Sequence, residues 1–360
     1  MTAVIPAGVE TARDLVGPAL AAAVERLSPD VRKVAAYHLG LAGPEGALPG
    51  TADGARPGGG ARGGRGARGR APGAGKALRP ALTLLSARAA HAAPERGVPA
   101  AVAVELVHNF SLLHDDIMDG DTERRHRPTA WTVYGTGAAI LAGDAMLALA
   151  QDILLEDTAA PQGVWAARAL SAAVQRLIAG QGADLAFEQR DDVSLTECLT
   201  MAGDKTAALM ACACSIGSIH VGAPPQLAMG LAAFGAHAGL AFQLTDDLLG
   251  IWGAPEVTGK PVRSDLRARK KSLPVVAALS AGTAEAGELA ALLAREEALS
   301  EDDLLLAAGL VEAAGGKTWT ENEAGAQLAA AHKCLADTDM PGDVRAEFSG
   351  IAEFITARQW

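Results

Sequence analysis

The feature that most restricts the fold of this chain is an apolar segment that ends in a cluster of acids. The apolar residues run from Val104 to Leu113, and the sequence DDIMD follows at residues 115–119. In a helix, residues four positions apart share a face about 6 Å apart along the axis, so Asp115 and Asp119 would project together, with Asp116 beside them. Converging carboxylates repel one another unless a cation lies between them, and oxygen-only ligands suit Mg²⁺. Alone, such a motif is more typical of a solvated helix end, so the rest of the chain must decide.

Composition indicates an all-α protein that does not bind nucleic acid. Hydrophobic residues make up 49% of the 360 residues and aromatic residues only 4%, with Ala and Leu dominant. This mixture favours helices, and no long run alternates between apolar and polar residues as a half-buried strand would. The formal net charge of −11 argues against a general nucleic-acid-binding surface.

The chain divides into three parts by composition. Residues 8–38 have the apolar spacing of two amphipathic helices, so 1–40 is expected to form N-terminal helices that pack on a larger bundle formed by 76–360. Residues 41–75 are almost entirely Gly, Ala, Pro and Arg. Such a composition buries too little apolar surface to fold, and we expect a disordered insertion. Its positive charge suggests docking to an anionic partner, although a solvated insertion is the simpler interpretation.

A second pair of acids and a set of cations complement the first motif. Asp246 and Asp247 follow the apolar segment Leu227–Leu244. The cations at predicted helix ends or in loops are Lys76, Arg79, Arg124, Arg125, Lys205, Lys260, Lys270 and Lys271. Two acidic helix ends, many cations and an apolar interior suit a ligand with an anionic head and an apolar tail. The head would be a diphosphate bridged by Mg²⁺, and the tail would lie inside the bundle.

No secretory signal or transmembrane segment is predicted. The N-terminus lacks a basic region followed by an apolar core. The segment Leu227–Leu244 is weakly hydrophobic, rich in Gly and Ala, and carries His237 and Gln243, so a helix inside a soluble bundle explains it better than a membrane span. The four cysteines have no metal-finger spacing. We expect a cytoplasmic protein.

Seven short motifs together point to one family. They are Gly75-Lys76-x-x-Arg79-Pro80, Glu105-Leu106-Val107-His108, Asp115-Asp116-x-x-Asp119 with Arg124-Arg125, Lys205-Thr206, Phe242-Gln243-Leu244-x-Asp246-Asp247, Gly259-Lys260 and Lys270-x-Ser272-Leu273-Pro274. In this order and spacing the chain, over about residues 75–360, resembles the trans-isoprenyl diphosphate synthases of the polyprenyl synthetase family, of the geranylgeranyl or farnesyl diphosphate synthase type. The resemblance implies an all-α, isoprenoid-synthase-type helical bundle around a deep central cavity.

The resemblance also implies a role for each motif residue. The residues that would bind isopentenyl diphosphate, the extending five-carbon unit, are Lys76, Arg79, His108 and Arg125, and Lys270 is a further substrate-binding cation. Those that would hold Mg²⁺ are Asp115 and Asp119, with Asp116 in support, and Asp246 with Asp247 on the second helix. Those that would clamp the allylic diphosphate are Arg124, Lys205 and Lys260. Thr206 and Gln243 would turn oxygen atoms towards the carbocation.

The implied reaction is a Mg²⁺-dependent head-to-tail condensation that gives a short-chain all-trans polyprenyl diphosphate. Metal and cations stabilise the leaving diphosphate, so the allylic C–O bond ionises in a dry pocket. The isopentenyl double bond, held close and aligned, attacks C1, and a proton is lost to the released diphosphate. The resemblance further implies three Mg²⁺ per active site with diphosphate bound, and a homodimer.

The chain departs from the family pattern in the second acidic motif. The motif usually ends in a third Asp, but here Gly250 takes that position, so the helix loses its pair of acids at i and i+4. If Asp246 makes most of the metal contact, we expect activity with weaker Mg²⁺ affinity. Otherwise the chain would be a poor or altered catalyst. Ala77 in place of a common Arg and Arg269 in place of a common Gly both look tolerable.

The product length is predicted from two residues just before the first motif. A growing chain should run along the helix from Asp115 past Ser111 and Phe110, four and five residues upstream. Ser111 is small enough to let the chain pass C15, whereas the ring of Phe110 would block extension much beyond C20. Geranylgeranyl diphosphate is the expected main product, with farnesyl diphosphate next.

Two other functions share parts of this pattern. A class I terpene cyclase would also ionise an allylic diphosphate, but it has no use for the second diphosphate pocket that Lys76, Arg79 and His108 indicate. A non-catalytic subunit that modulates a partner synthase would explain Gly250, but the intact first motif argues against it.

Overall fold

The computed structural model describes residues 7–45, 77–156, 161–255 and 261–357. Within these ranges the chain is almost entirely helical, and the only strands described, β1 (Glu123–Arg124) and β2 (Arg127–Pro128), form a short antiparallel ribbon. The all-α prediction is therefore confirmed. Residues 46–75 of the predicted insertion, together with Lys76 and Lys260, lie outside the described residues.

Ten helices lie in the described residues up to Trp252. They are α1 (Ala7–Val24), α2 (Pro29–His38), α3 (Leu78–Ala89), α4 (Val98–Met118), α5 (Ala130–Tyr134), α6 (Thr136–Leu155), α7 (Pro161–Phe187), α8 (Leu195–Ala202), α9 (Ala208–His220) and α10 (Pro225–Trp252). A 3₁₀ turn at Pro94–Gly97 leads into α4. The predicted helical pair in residues 8–38 corresponds to α1 and α2, and Ser28 precedes Pro29 at the start of α2.

Six further helices lie in the described residues after α10. They are α11 (Ser264–Arg267), α12 (Leu273–Leu279), α13 (Ala284–Leu293), α14 (Glu301–Ala313), α15 (Gly316–Ala336) and α16 (Gly342–Thr356). Capping boxes open two of the helices: Ser194 with Glu197 opens α8, and Ser300 with Asp303 opens α14. In each case the side chains satisfy backbone N–H groups that would otherwise lack a partner at the helix start.

Small residues allow the central helices to approach closely. An added Cβ at Gly235 would lie 2.7 Å from the Cα of Ala211, and one at Gly239 would lie 2.8 Å from the Cα of Ala207. The Gly content of α10 therefore reflects its packing on α9. Helices α6 and α10 are long and apolar enough to span a membrane by length and composition, but 44% and 50% of their most apolar windows are buried inside the protein. The expectation that the apolar segment 227–244 forms a core helix agrees with this packing.

Candidate active site

The first acidic motif forms the last turn of α4. Asp115 is half-buried, and Asp119, which caps the helix, is exposed. Burial raises the pKa of Asp115 to about 6, the charges of Asp119 and Asp116 add to this shift, and the charge of Lys205 opposes it. The structure therefore brings Asp115, Asp119 and Lys205 together, as the sequence predicts. Two further carboxylates thus act on Asp115 in a partly buried position, and Lys205 and Arg124 are the cations that oppose them.

Asp116 lies behind this acidic face rather than on it. Its side chain is 1% exposed, and Oδ1 accepts a hydrogen bond of 2.6 Å from Nε of Arg124. Its Oδ2 is buried without a hydrogen-bond partner among the described residues. The contact of Asp116 is therefore with Arg124, and its support of the metal ligands stays a prediction.

A tight turn presents Arg125 beside Arg124. Residues 124 and 127 are paired in the β1–β2 ribbon, and the two turn residues, Arg125 and His126, have φ values of 53° and 60°. A two-residue turn with both residues in the left-handed region usually carries Asn or Gly, because a Cβ makes this conformation costly. Such strain is common where a functional side chain must be aimed.

Arg79 and His108 meet about two helical turns before Asp115, since His108 is seven residues upstream on α4. Nη1 of Arg79 lies 3.3 Å from Nε2 of His108, with Arg79 in the first turn of α3. Burial lowers the pKa of His108 well below its ordinary value, and the charges of Arg79 and Arg125 lower it further. Glu105 faces both arginines, and burial raises its pKa in turn. These effects favour the neutral form of His108, and the three predicted isopentenyl-diphosphate residues in the described part of the chain lie close enough for the two arginines to act on the histidine.

Lys205 and Thr206 lie on a π-helical turn between α8 and α9. The turn spans Gly203–Ala207, and Nζ of Lys205 contacts Oδ2 of Asp184 on α7 at 2.5 Å. An added Cβ at Gly180 would lie 2.3 Å from the backbone N of Lys205, so glycine is what lets α7 approach this turn. Single π turns are rare in proteins, and those that occur often lie at functional sites.

Thr206 continues into a chain of hydrogen bonds that ends at α12. Its Oγ1 donates to Oε1 of Gln243 at 2.5 Å, and Nε2 of Gln243 donates to Oδ1 of Asp247 at 2.7 Å. The other carboxylate oxygen of Asp247 accepts from the backbone N of Leu273 at 2.9 Å. This network fixes the side-chain oxygens of Thr206 and Gln243 beside the second acidic motif.

The two acids of the second motif therefore have different surroundings. Asp246 is exposed, whereas Asp247 is 5% exposed and both of its oxygens accept hydrogen bonds from protein groups. The prediction that both bind metal agrees with the position of Asp246, but Asp247 faces the protein interior. Burial raises the pKa of Asp247, and the charge of Lys270 opposes this shift.

Lys270 belongs to this acidic region rather than to the basic pocket. Burial lowers its pKa, but the charges of Asp247, Asp265, Asp184 and Asp246 outweigh that effect, and its pKa lies above the ordinary value. Lys270 therefore compensates nearby carboxylates within the protein, and its role as a substrate-binding cation stays a prediction.

The two predicted chain-length residues lie directly behind Asp115 on α4. Phe110 is 5% exposed and packs edge-to-face on His114, with ring centroids 5.3 Å apart. Ser111 is also buried, and its hydroxyl donates to the backbone O of His108 at 2.8 Å. His114 itself fits against Gly143 of α6, where an added Cβ would lie 2.3 Å from Nε2.

Sequence reasoning missed three polar residues of the site. Asp184 pairs with Lys205, and Asp265 faces Lys270. Gln181, one turn before Asp184, is 5% exposed, and both of its side-chain polar atoms lack partners among the described residues. The sequence of α7 does indicate two of these residues: Gln181 and Asp184, at i and i+3, interrupt a helix face that otherwise carries small and apolar side chains.

The donor set fits Mg²⁺ held mainly through a substrate. Among the described residues, no three His, Cys, Asp or Glu side chains are gathered closely enough to hold a metal ion by themselves. Mg²⁺ usually keeps several waters and binds through one or two carboxylates plus substrate phosphates. Asp115, Asp119 and Asp246 offer only oxygen ligands on two helices, which matches that requirement.

Comparison with known proteins identifies the family. The Polyprenyl synthetase family model matches residues 71–307. A (2E,6E)-farnesyl diphosphate synthase from Mycobacterium tuberculosis is 46% identical over 97% of this chain and 92% of its own length. A geranylgeranyl diphosphate synthase from the same organism is 41% identical over 91% of this chain and 88% of its own length.

The fold also matches that of a solved structure over nearly the whole chain. The crystal structure of a polyprenyl synthetase from Streptomyces coelicolor superposes with a TM-score of 0.86 at 48% identity, covering 98% of this chain and 99% of that one. Members of this family are generally Mg²⁺-dependent and use isopentenyl diphosphate and an allylic diphosphate. This chain belongs to the polyprenyl synthetase family and is a prenyltransferase of the trans-prenyl diphosphate synthase type.

Proposed function

We propose that this enzyme makes geranylgeranyl diphosphate as its main product and farnesyl diphosphate next. The observation that carries the proposal is the position of Phe110 and Ser111 one turn behind Asp115, both buried. A hydroxymethyl side chain at the nearer position leaves room for a C15 chain, and an aromatic ring at the next position limits further growth. Related farnesyl, geranylgeranyl and geranylfarnesyl diphosphate synthases are 38–46% identical to this chain. The same family therefore makes products of several chain lengths.

The basic pocket orients the extending substrate. Arg79, His108 and Arg125 would bind the diphosphate of isopentenyl diphosphate, with Lys76 as a further cation outside the described residues. Neutral His108 donates or accepts one hydrogen bond without adding to the charge, and Glu105 offsets the repulsion between the two arginines. The pocket thus keeps its geometry before the anion arrives, which lowers the cost of ordering it on binding.

The acidic faces and Lys205 bind the allylic substrate. Asp115, Asp119 and Asp246 would hold Mg²⁺, three ions with diphosphate bound, which supply the electrostatic stabilisation that lets the diphosphate leave. Arg124, Lys205 and, outside the described residues, Lys260 would contact the same diphosphate. Thr206 and Gln243 turn their oxygens towards the reacting carbon, and the buried surroundings exclude water that would quench a carbocation.

The alternative functions receive no support from the relatives. A terpene cyclase would not need the basic pocket of Arg79, His108 and Arg125, which the structure assembles. A modulating subunit would not need Asp115, Asp119 and Asp246 at the same site. We therefore favour the synthase because the chain offers two separate diphosphate sites. One is lined by basic side chains, and the other by carboxylates that would bind the diphosphate through Mg²⁺.

The test is a product assay with matched aromatic substitutions. Purified protein with Mg²⁺, isopentenyl diphosphate and dimethylallyl, geranyl or farnesyl diphosphate should give linear C20 and C15 diphosphates. Phe110→Ala should lengthen the product, and Ser111→Phe should shorten it to C15. Phe354→Ala, at a partly buried aromatic of the same kind on α16, should leave the distribution unchanged. Unchanged product length in Phe110→Ala would show that this ring is not the floor, and a cyclic hydrocarbon would overturn the synthase proposal.

We also propose that the enzyme is a homodimer formed through α6 and α7. These neighbouring helices carry large exposed apolar side chains: Ile140, Leu141, Leu155, Val164, Trp165 and Ile178. Several large exposed apolar side chains on two neighbouring helices are typical of an interface between copies. Light scattering should give a dimer mass for the wild type, a monomer for Trp165→Glu, and a dimer for the control Leu306→Glu, an exposed leucine on α14. A dimeric Trp165→Glu protein would contradict this interface.

A cytoplasmic location, the division into parts at residues 40 and 75, and docking through 41–75 stay predictions.

A further inference from the structure

The ribbon that carries Arg124 and Arg125 is held by the end of α2. The hydroxyl of Tyr37 donates to the backbone O of Pro128 at 2.8 Å. In return, Nη1 of Arg127 donates to the backbone O of Tyr37 at 3.3 Å, and its guanidinium lies 4.3 Å from the centre of the tyrosine ring. These contacts fix β2 against α2. Because β1 pairs with β2, the position of Arg124 depends on them.

His38, the last residue of α2, lines a small cavity at this ribbon. The cavity has a volume of about 20 Å³, and its lining includes Asp116, Arg124 and Arg125. A polar cavity of this size holds one water molecule, provided that about two to four polar groups can bind it. The cavity therefore joins the end of α2 to the residues that hold and present the two arginines.

Two polar atoms of the lining are buried without a hydrogen-bond partner among the described residues. They are Oδ2 of Asp116 and Nε2 of His38. Arg124 occupies only the other oxygen of Asp116, since its Nε and Nη2 both lie 2.6 Å from Oδ1. A buried carboxylate oxygen is costly to leave unpaired, so Oδ2 requires a donor.

The protonation of His38 makes its Nε2 an acceptor as well. Burial lowers the pKa of His38 to about 3, and the charges of the three arginines in the ribbon add to this shift, so the neutral form is favoured near pH 7. A neutral imidazole has one N–H donor and one acceptor nitrogen. A hydrogen bond with Asn109 raises the pKa, as expected when the amide oxygen accepts the imidazole N–H, while Nδ2 of Asn109 donates to the backbone O of Glu105 at 2.8 Å. Nε2 then remains as the acceptor.

We propose that His38 is a positioning residue for Arg124 and Arg125. One water in the cavity donates a hydrogen to Nε2 of His38 and the other to Oδ2 of Asp116, which keeps Oδ1 directed at Arg124. Tyr37 holds the other strand of the ribbon from the same turn of α2. The end of α2 thereby aims both arginines at the substrate diphosphates. This inference rests on the proposed synthase function and gives the N-terminal helices a part in it.

The first test measures anion binding without turnover. Calorimetric titration with isopentenyl diphosphate, in the presence of a chelator, reports on the pocket of Arg79, His108 and Arg125. His38→Leu should raise the Kd about 10-fold, the scale of one lost polar contact. His38→Gln keeps a donor and an acceptor and should stay within about threefold of the wild type. The control His332→Leu, at a histidine on α15 that bonds Ser349 at 2.8 Å, should leave the Kd unchanged.

Steady-state kinetics distinguish positioning from a loss of folded protein. In His38→Leu, the KM for isopentenyl diphosphate should rise with the Kd while kcat stays within about twofold, because the arginines bind the substrate but do not react. A variant that is only less stable has less active enzyme, which lowers the apparent kcat and leaves KM and Kd unchanged. That result would overturn the proposal.

A double-mutant cycle tests the link between His38 and Asp116. His38→Leu and Asp116→Asn break the same water-mediated contact, so the double variant should bind isopentenyl diphosphate within about twofold of the weaker single variant. Fold-changes in Kd that multiply would show that the two residues act separately, and the link through the cavity would be wrong.

Tyr37→Phe carries the test if His38→Leu does not fold. It removes only the hydroxyl that donates to Pro128, and it should raise the Kd about threefold. An unchanged Kd would show that α2 packs on the ribbon without aiming it, and the proposal would fall. If the Kd values change as expected but the wild type forms no condensation product, the proposed function fails while the positioning role of His38 stands.

Discussion

The two acidic motifs of this enzyme share one arrangement and differ in one respect. Each begins with adjacent aspartates near the end of an apolar helix, α4 or α10. In each, the first aspartate faces the site, at Asp115 and Asp246, and the second is buried, at 1% exposure for Asp116 and 5% for Asp247. The buried partner holds neighbouring protein groups: Asp116 binds Arg124, and Asp247 binds Gln243 and the backbone of Leu273.

The difference lies in the third acid. On α4, Asp119 follows Asp115 at i+4, so one helix sets the spacing of both ligands. On α10, Gly250 occupies that position and the carboxylate of Asp265 fills the space from α11. The geometry of the second motif therefore depends on tertiary packing, whereas that of the first depends mainly on helical repeat.

The largest expected effect tests whether the two aspartates of a pair differ in role. Asp115→Ala and Asp246→Ala should each lower kcat by about 10³-fold or more, because each removes a charge at the site where the leaving diphosphate is stabilised. Asp116→Asn should cost only about 10-fold, since it acts through Arg124. The measurement is the initial rate of condensation with saturating substrates. An Asp116→Asn protein as inactive as Asp115→Ala would break the distinction between facing and buried acids.

The next prediction concerns stability and pH. Burial raises the pKa of Asp115 to about 6, above its ordinary value of 3.8, so the folded protein holds this proton more tightly than the unfolded chain. The charged form then costs folding free energy above pH 6, about 3 kcal/mol at most, and this cost declines as the pH falls from about 6 to about 4. Asp115→Asn should therefore stabilise the metal-free protein at pH 8 while abolishing turnover.

Urea unfolding in the presence of a chelator measures this effect. The gain of Asp115→Asn over the wild type should disappear at about pH 4, whereas Asp302→Asn should show no gain of this kind at any pH. A gain that stays constant between pH 8 and pH 4 would show that the charge of Asp115 is not what destabilises the metal-free site.

Spacing within a helix predicted most of the first motif and little of the second. The positions of Phe110, Ser111, Asp115 and Asp119 on one helix follow from sequence alone, because their separations are local. The approach of Asp265 to Gly250 does not, since α11 and α10 meet only through packing. The π turn that presents Lys205 and Thr206 was equally hidden, because one extra residue in a helix leaves the apolar periodicity of α8 and α9 almost unchanged.

A smaller effect should distinguish the buried from the exposed acid of the second motif. Asp247→Asn replaces one accepting oxygen by an NH₂ group, so the donor of either Gln243 or Leu273 loses its partner in the interior. We expect a loss of about 1–3 kcal/mol in the free energy of unfolding. Asp246→Asn, at an exposed position, should change it by less than about 0.5 kcal/mol. Chemical denaturation measures both, and equal losses would contradict the assignment of Asp247 as the structural member.

The smallest effect tests the link between the π turn and the second motif. Thr206→Val keeps the side-chain shape but removes the hydroxyl that donates to Gln243 at 2.5 Å. The oxygen of Gln243 then lacks its donor, at a cost of about 1 kcal/mol, and kcat should fall about 5-fold. Thr206→Ser restores the hydroxyl and should recover most of the rate.

Double substitutions that include Thr206→Val distinguish the two motifs. Thr206 reaches Gln243 and through it Asp247, but it has no such chain of hydrogen bonds to Asp116 or Asp119 among the described contacts. Thr206→Val should therefore weaken the response to Asp247→Asn, because both changes break the same chain of hydrogen bonds, while its effect should simply add to that of Asp116→Asn. Additive effects in both pairs would mean that the π turn acts on the substrate alone, and that the two motifs differ in composition but not in how they are supported.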